Sequence, residues 1–298
     1  MHLYEKALID TINSNNDVII CTAETRFAMR NLPDLIEDKF LDVGISEQTL
    51  IGSVAGLSKM GMIPIAHALA SFLLYRPYEF IRTDLGIPNL KSILVGSFNG
   101  FISQANGPTH QAVEDISLMS LVPNMRIIAP SNIHETCSLV SMAVDNINSP
   151  IYLRFNDTDD GASHDKSSIK WDQNRFYSTG KDILVISYGL CFNIIKDIFE
   201  DQFERVGLVN SIFIKPMLVD FYETVFSSYS KLIIVEDHKY QGGLCYEIKN
   251  LAFDMGYKGE IHGINLGSRF FKPALLEESM EYEGFSKKQL TKKIKDLI

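Results

Sequence analysis

Residues 42–65 read DVGISEQTLIGSVAGLSKMGMIPI, and the reading of this stretch decides the fold class. Ser46 is placed to cap a helix running toward Met60, with Leu50, Val54 and Leu57 on one face. Met62-Ile63-Pro64-Ile65 then opens a strand. The alternation extends in both directions. Upstream, Val18-Ile19-Ile20-Cys21 reads as a buried strand. Downstream come a helix through Tyr78 to Leu85, a strand Ser92-Ile93-Leu94-Val95 and a Gly- and Asn-containing loop from Asn99 to Thr109. A strand Ile127-Ile128-Ala129, a helix from about Ile133 to Val144 and a strand Ile151 to Phe155 complete this set.

From Asn156 to Gly180 the composition shifts to Asp, Ser, Gly and Lys, as in Asp157-Thr158-Asp159-Asp160-Gly161. So little apolar surface predicts a linker or long loop. The pattern then restarts, with strands at Ile183-Leu184-Val185-Ile186, Val206 to Val209 and Leu232-Ile233-Ile234-Val235. Helices are predicted over Phe192 to Phe199 and Leu244 to Phe253. Strands alternating with helices imply parallel sheets covered on both faces. The expectation is an α/β protein of two three-layer domains with mainly parallel sheets, over 1–156 and 181–298, joined by a linker over 157–180.

The 298 residues fit two domains, and 46% hydrophobic against 22% charged residues fits a sizeable core. A net charge of -9 repels phosphate backbones, so neither nucleic acid nor a membrane is an expected partner. The lysines of the C-terminal run Lys287 to Lys295 read as a solvated helix face. Cys21, Cys137, Cys191 and Cys245 lie far apart with no CxxC pair, as expected of reduced, mostly buried thiols. The start Met1-His2-Leu3-Tyr4-Glu5-Lys6 has no signal-peptide pattern, and no apolar run is long enough for a bilayer; the expected compartment is the cytoplasm.

A carboxylate in a first helical turn is ordinarily just a partner for the helix dipole, so Glu47 alone says little. Its context says more. The run Gly44-Ile45-Ser46-Glu47-Gln48, then Gly52, Ala55-Gly56-Leu57, Pro64 and Ser71-Phe72, resembles the pyrimidine-binding domain of thiamine-diphosphate-dependent transketolases. It is most similar to split transketolases and to 1-deoxyxylulose-5-phosphate synthases. Asn106-Gly107-Pro108-Thr109-His110-Gln111 is a second, more specific match, followed by Val122-Pro123-Asn124-Met125 and Ala129-Pro130-Ser131. Ile214-Lys215-Pro216, Glu236-Asp237-His238 and Gly242-Gly243-Leu244 resemble the transketolase C-terminal domain.

The resemblance implies roles. Glu47 would hydrogen-bond the pyrimidine nitrogen of thiamine diphosphate and share a proton with the ring, which the cofactor needs to deprotonate its own thiazolium. Phe72 would stack on the pyrimidine, with Tyr75, Leu69 and Ile45 keeping the pocket apolar, although helical spacing alone reads them as core. His110 would contact substrate oxygens and help move their protons, with His67 near the same cavity. Arg154 matches one phosphate-binding arginine of conventional transketolases, but Phe98 stands where a phosphate histidine is expected and Asn106 replaces an aspartate. A further arginine expected near the N-terminus falls at or before Met1. With the clamp incomplete, the expected substrate departs from a standard sugar phosphate. Adjacent strand residues point to opposite faces, so Glu236-Asp237-His238 is expected to serve packing rather than catalysis.

The family holds the diphosphate through Mg2+ at a Gly-Asp-Gly motif, and this sequence has none, nor any other expected metal ligands. A partner N-terminal subunit carrying the diphosphate-binding domain and the Mg2+ is therefore expected, in an α2β2 assembly. The leading expectation is the C-terminal subunit of a two-chain transketolase moving a two-carbon ketol unit from a ketose to an aldose. A 2-oxo-acid dehydrogenase beta subunit and a deoxyxylulose-phosphate-synthase-like enzyme stand beside it, as does a non-catalytic scaffold subunit.

Overall fold

The computed structural model describes residues 1–25, 28–159, 169–203 and 205–298. Short runs of Val, Ile and Leu, buried on both faces, form the strands. In chain order these are β1 (Val18–Thr22), β2 (Phe40–Asp42), β3 (Ile63–Leu69), β4 (Ile93–Ser97), β5 (Arg126–Ile128), β6 (Ile151–Arg154), β7 (Arg175–Ser178), β8 (Ile183–Ser187), β9 (Val206–Asn210), β10 (Phe213–Lys215), β11 (Lys231–Lys239) and β12 (Glu260–Leu266). They make a seven-stranded sheet of order β10-β5-β6-β4-β3-β1-β2 and a five-stranded sheet of order β12-β11-β8-β9-β7. Every pairing is parallel except β10 with β5 and β7 with β9.

Helices cover both faces of each sheet, as the α/β reading expects. Leu3–Ser14 and Ile133–Asn146 pack through Tyr4, Leu8, Leu139 and Val140 against one face of the larger sheet. Glu47–Lys59 and Ala70–Tyr75 cover the other face with Leu50, Val54, Leu73 and Leu74. That layer is continuous with Leu184, Tyr188, Leu232 and Leu244 of the smaller-sheet region, so one apolar core joins the two sheets. Gly189–Gln202 and Lys287–Leu297 close the far face of the smaller sheet with Ile195, Phe199, Leu290 and Ile294. All four cysteines are free and buried, and among the described residues no helix is long and apolar enough to cross a membrane.

Several expectations are corrected. Part of the expected linker over 157–180 is a strand: β7 (Arg175–Ser178) edges the smaller sheet, while 160–168 lie outside the described residues. Just after β9, Phe213–Lys215 leaves the smaller sheet and pairs with β5 of the larger one, so the expected division of the chain is crossed. Lys215 fixes this crossing by donating to the carbonyls of Ser120 (2.8 Å) and Val122 (2.6 Å). Ser46 is the N-cap of its helix, as expected, and its carbonyl accepts the Leu50 amide at 2.9 Å, but its hydroxyl pairs with that of Thr49 at 2.6 Å rather than with a backbone amide. The helix expected through Tyr78 to Leu85 widens into a π-helix over Ile81–Gly86, where the Ile87 amide donates to the Arg82 carbonyl at 2.9 Å.

Candidate functional site

The site begins where β2 ends. Asp42 Oδ1 accepts the Gly44 amide at 2.9 Å and the Glu24 amide at 3.1 Å, and Gly44 takes a left-handed turn at φ +71°. That turn sets Glu47 as the first residue of Glu47–Lys59, with 3% of its surface exposed. Its two carboxylate oxygens both accept from Arg76 Nη1, at 2.9 and 3.1 Å. Arg76 immediately follows the helix Ala70–Tyr75, one turn beyond Phe72, and its guanidinium carbon lies 3.6 Å from the centre of the Phe72 ring. A planar cation is thus stacked on Phe72 and paired with Glu47.

Glu47 and Phe72 face a cleft of about 430 Å³. Ile45, Glu47, Leu69, Phe72 and Phe98 line it together, as do Glu24 and Arg30, which the sequence reading did not single out. Phe98 holds φ +57°, a left-handed conformation that a bulky side chain rarely adopts and that clusters at functional sites. The His110 ring meets Phe72 edge-on, 4.9 Å between centroids, and its Nδ1 lies 2.8 Å from the Thr109 hydroxyl.

His67 lies beneath this cleft rather than on its wall. It is buried, with Nε2 2.8 Å from the Tyr4 hydroxyl and Nδ1 3.3 Å from the Cys21 carbonyl. It faces a small cavity that shares Thr25 with the larger cleft. Burial pushes its imidazole from 6.5 down to about 4. Because the folded value is the lower one, His67 favours the native state fully above pH 6.5 and loses that contribution as pH falls toward 4. The loss over that window is about 3 kcal/mol. In urea titrations across this window, His67→Gln is expected to lose less stability on acidification than the parent chain. Equal acid sensitivity would contradict this.

Arg154 is not at the cleft. It is 2% exposed and donates through Nε to Asp115 Oδ2 at 2.7 Å and through Nη1 to Asp237 Oδ1 at 3.2 Å. Burial opposes its charge, and the carboxylates of Asp115 and Asp237 outweigh burial and hold it protonated. The Tyr152 hydroxyl donates to the same Asp115 oxygen at 2.7 Å. The structure thus places Arg154, expected as a phosphate ligand, away from the cleft, with Nε and Nη1 engaged by Asp115 and Asp237 and Nη2 buried without a hydrogen-bond partner among the described residues. Asp237 and His238 do not point to opposite faces as expected: Asp237 pairs with Arg154, and His238 Nε2 lies 3.9 Å from Asp115 Oδ1, the partner of the same arginine. The pairing of β11 with β12 shifts register between Val235 and Lys239, and such an irregularity lets consecutive side chains face one region. Glu236 points elsewhere, accepting from the Leu244 amide at 2.8 Å and the Cys245 amide at 3.2 Å.

Tyr75 and Asn106 are also off the cleft wall. The Tyr75 hydroxyl donates to Glu114 Oε2 at 2.7 Å, and the Asn106 amide turns back to the Ser103 carbonyl at 3.4 Å. Among the described residues no group of three or more His, Cys, Asp or Glu side chains is arranged to hold a metal. Sequence reasoning missed Arg76; its signal was a lone arginine one helical turn after Phe72.

A family profile described as "Transketolase, pyrimidine binding domain" matches residues 2–159. A 1-deoxy-D-xylulose-5-phosphate synthase of Thermus thermophilus is 29% identical over 84% of this chain and 41% of its own length. A "Putative transketolase C-terminal section" of Methanocaldococcus jannaschii is 24% identical over 98% of this chain and 93% of its own. The chain thus spans less than half the length of the synthase. The solved structure "Split gene transketolase, inactive beta4 tetramer" superposes with a TM-score of 0.85 over 98% of this chain and 95% of that one, at 22% identity, a likeness of fold. With more than half of its residues inside the matched profile, the chain belongs to the transketolase pyrimidine-binding domain family.

Proposed function

We propose that this chain is the pyrimidine-holding part of a two-chain transketolase, moving a two-carbon ketol unit from a ketose to an aldose on thiamine diphosphate. One observation carries the reading: a buried carboxylate, Glu47, faces a planar cation that lies on the Phe72 ring. A protonated aminopyrimidine is also planar and cationic, so Glu47 and Phe72 have the chemistry to hold one. Thiamine diphosphate, when bound, supplies the carbon nucleophile that accepts the ketol unit.

In this reading Glu47 holds a proton at the pyrimidine nitrogen. Phe72, Leu69 and Ile45 keep water from that proton. His110, edge-on to Phe72, serves the hydroxyl and carbonyl oxygens of the substrate. The diphosphate and its Mg2+ are held outside these residues, since the sequence has no Gly-Asp-Gly. A relative named as a C-terminal section and matched over 93% of its length supports a separate N-terminal partner, in an α2β2 assembly. We assign the pyrimidine-binding unit to 1–156 and the C-terminal unit to 181–298, with β7 before it as the edge strand of its sheet and β10 lent to the larger sheet. Arg154 is engaged in the core, and among the described residues lining the cleft Arg30 stands with Glu24 and Glu47, so those residues carry no excess positive charge. This supports a sugar substrate other than a standard sugar phosphate.

The test is calorimetry with thiamine diphosphate and Mg2+, on this chain alone and on the chain co-expressed with a diphosphate-domain partner. Binding by the pair alone is expected. Tight binding by this chain alone would overturn the shared site, and no binding by either would favour a scaffold. The names of several relatives favour a second reading, a 1-deoxy-D-xylulose-5-phosphate synthase. Pyruvate consumption by the assembled pair would select it.

A further inference from the structure

We propose that Arg76 is an internal competitor for the pyrimidine: it occupies the place between Glu47 and Phe72 and must swing out before the cofactor enters. The inference rests on the reading of Glu47 and Phe72 as the pyrimidine site. Three observations carry it. The first is chemical likeness. A guanidinium is flat, cationic, stacks on an aromatic face and donates to a carboxylate, and Arg76 does both at 3.6 Å from the ring centre and at 2.9 and 3.1 Å from the carboxylate oxygens.

The second is overlap. Arg76 lies over the Phe72 ring and holds both oxygens of the carboxylate that an incoming aminopyrimidine needs, so that carboxylate cannot serve both at once. The third is asymmetry of mobility. The Arg76 side chain is 42% exposed and the Glu47 side chain 5%. Arg76 can therefore rotate into water about its long stem, whereas Glu47 is fixed in the first turn of a buried helix.

A buried carboxylate without a partner is costly, and Arg76 donates both hydrogen bonds that Glu47 receives among the described residues. The pair is neutral, and the cofactor must displace a half-exposed ion pair and a ring contact to enter. Such contacts are weak enough to break, and removing them is expected to raise ligand affinity about 10-fold.

The experiment titrates thiamine diphosphate, with Mg2+ present, into the chain co-expressed with its diphosphate-domain partner and follows binding by calorimetry. Variants are Arg76→Ala, Arg76→Met and Glu47→Gln. Arg76→Met keeps an apolar stem over Phe72, so a folding defect in the alanine variant leaves the test standing; thermal melting checks each. Tighter binding in Arg76→Ala or Arg76→Met than in the parent pair is expected, with weaker binding in Glu47→Gln. Unchanged, weaker or undetectable binding in the Arg76 variants would overturn the proposal, and weaker binding would mean that Arg76 helps to hold the ring. If the parent pair binds and Glu47→Gln makes no difference, the pyrimidine site itself has been misplaced. If binding needs Glu47 but ignores Arg76, the competitor alone fails.

Discussion

Arg154→Ala is expected to lower folding stability by about 3–5 kcal/mol, seen as a fall in the urea midpoint with an unchanged slope. The guanidinium sits between Asp115 and Asp237, which are 0% and 1% exposed. Removing it leaves two carboxylates in the core with no cation between them. His238 is a poor replacement: its Nε2 is 3.9 Å from Asp115, and burial holds that imidazole below its usual range. Gly100 faces the Asp237 carboxylate so closely that an added Cβ would overlap it, which leaves the carboxylate little room to move away. The cost should shrink at acid pH, where Asp237, whose carboxyl burial pushes above its usual range, binds a proton and sheds its charge. Adding Asp115→Asn and Asp237→Asn to Arg154→Met should recover much of the loss, because a neutral set needs no counter-charge. A loss under about 1 kcal/mol for Arg154→Ala, the range of a surface pair, would refute this account.

Glu47→Gln should reduce turnover of the reconstituted pair by about 10²–10⁴-fold, the range that a positioned proton-transfer group contributes. The amide keeps the shape and the stacking on Phe72 is untouched, so assembly and melting should hold. What is lost is the ability to take a full proton from, and return it to, the pyrimidine nitrogen. The measurement is turnover at saturating thiamine diphosphate and Mg2+, beside size-exclusion of the pair. Undiminished turnover in an intact assembly would remove Glu47 from the chemistry and favour a scaffold.

The cleft was largely legible from its residues. Ile45, Glu47, Leu69, Phe72 and Phe98, named in the sequence, line one opening, and His110 packs against Phe72. Much of this is local. Glu47 opens a helix after a glycine turn, and Phe72 lies in the short helix that follows β3. Arg76 was missed: it stands one helical turn after Phe72 in the sequence, but nothing local tells of its pairing with Glu47.

By itself the sequence determined the alternation of buried strands and amphipathic helices, and hence the α/β layering, because side-chain periodicity is a local record of which faces are buried. Tertiary structure alone decided three further features. Phe213–Lys215 joins the larger sheet instead of extending the smaller one. Asp237 and His238 converge through a register shift. Arg154 meets Asp115 and Asp237, 39 and 83 residues away, rather than a ligand. The reason is common to all three. A local pattern reports that a group is buried, but the partner that offsets a buried charge or an unpaired strand edge is set by strand order and register, and those exist only once distant segments have packed.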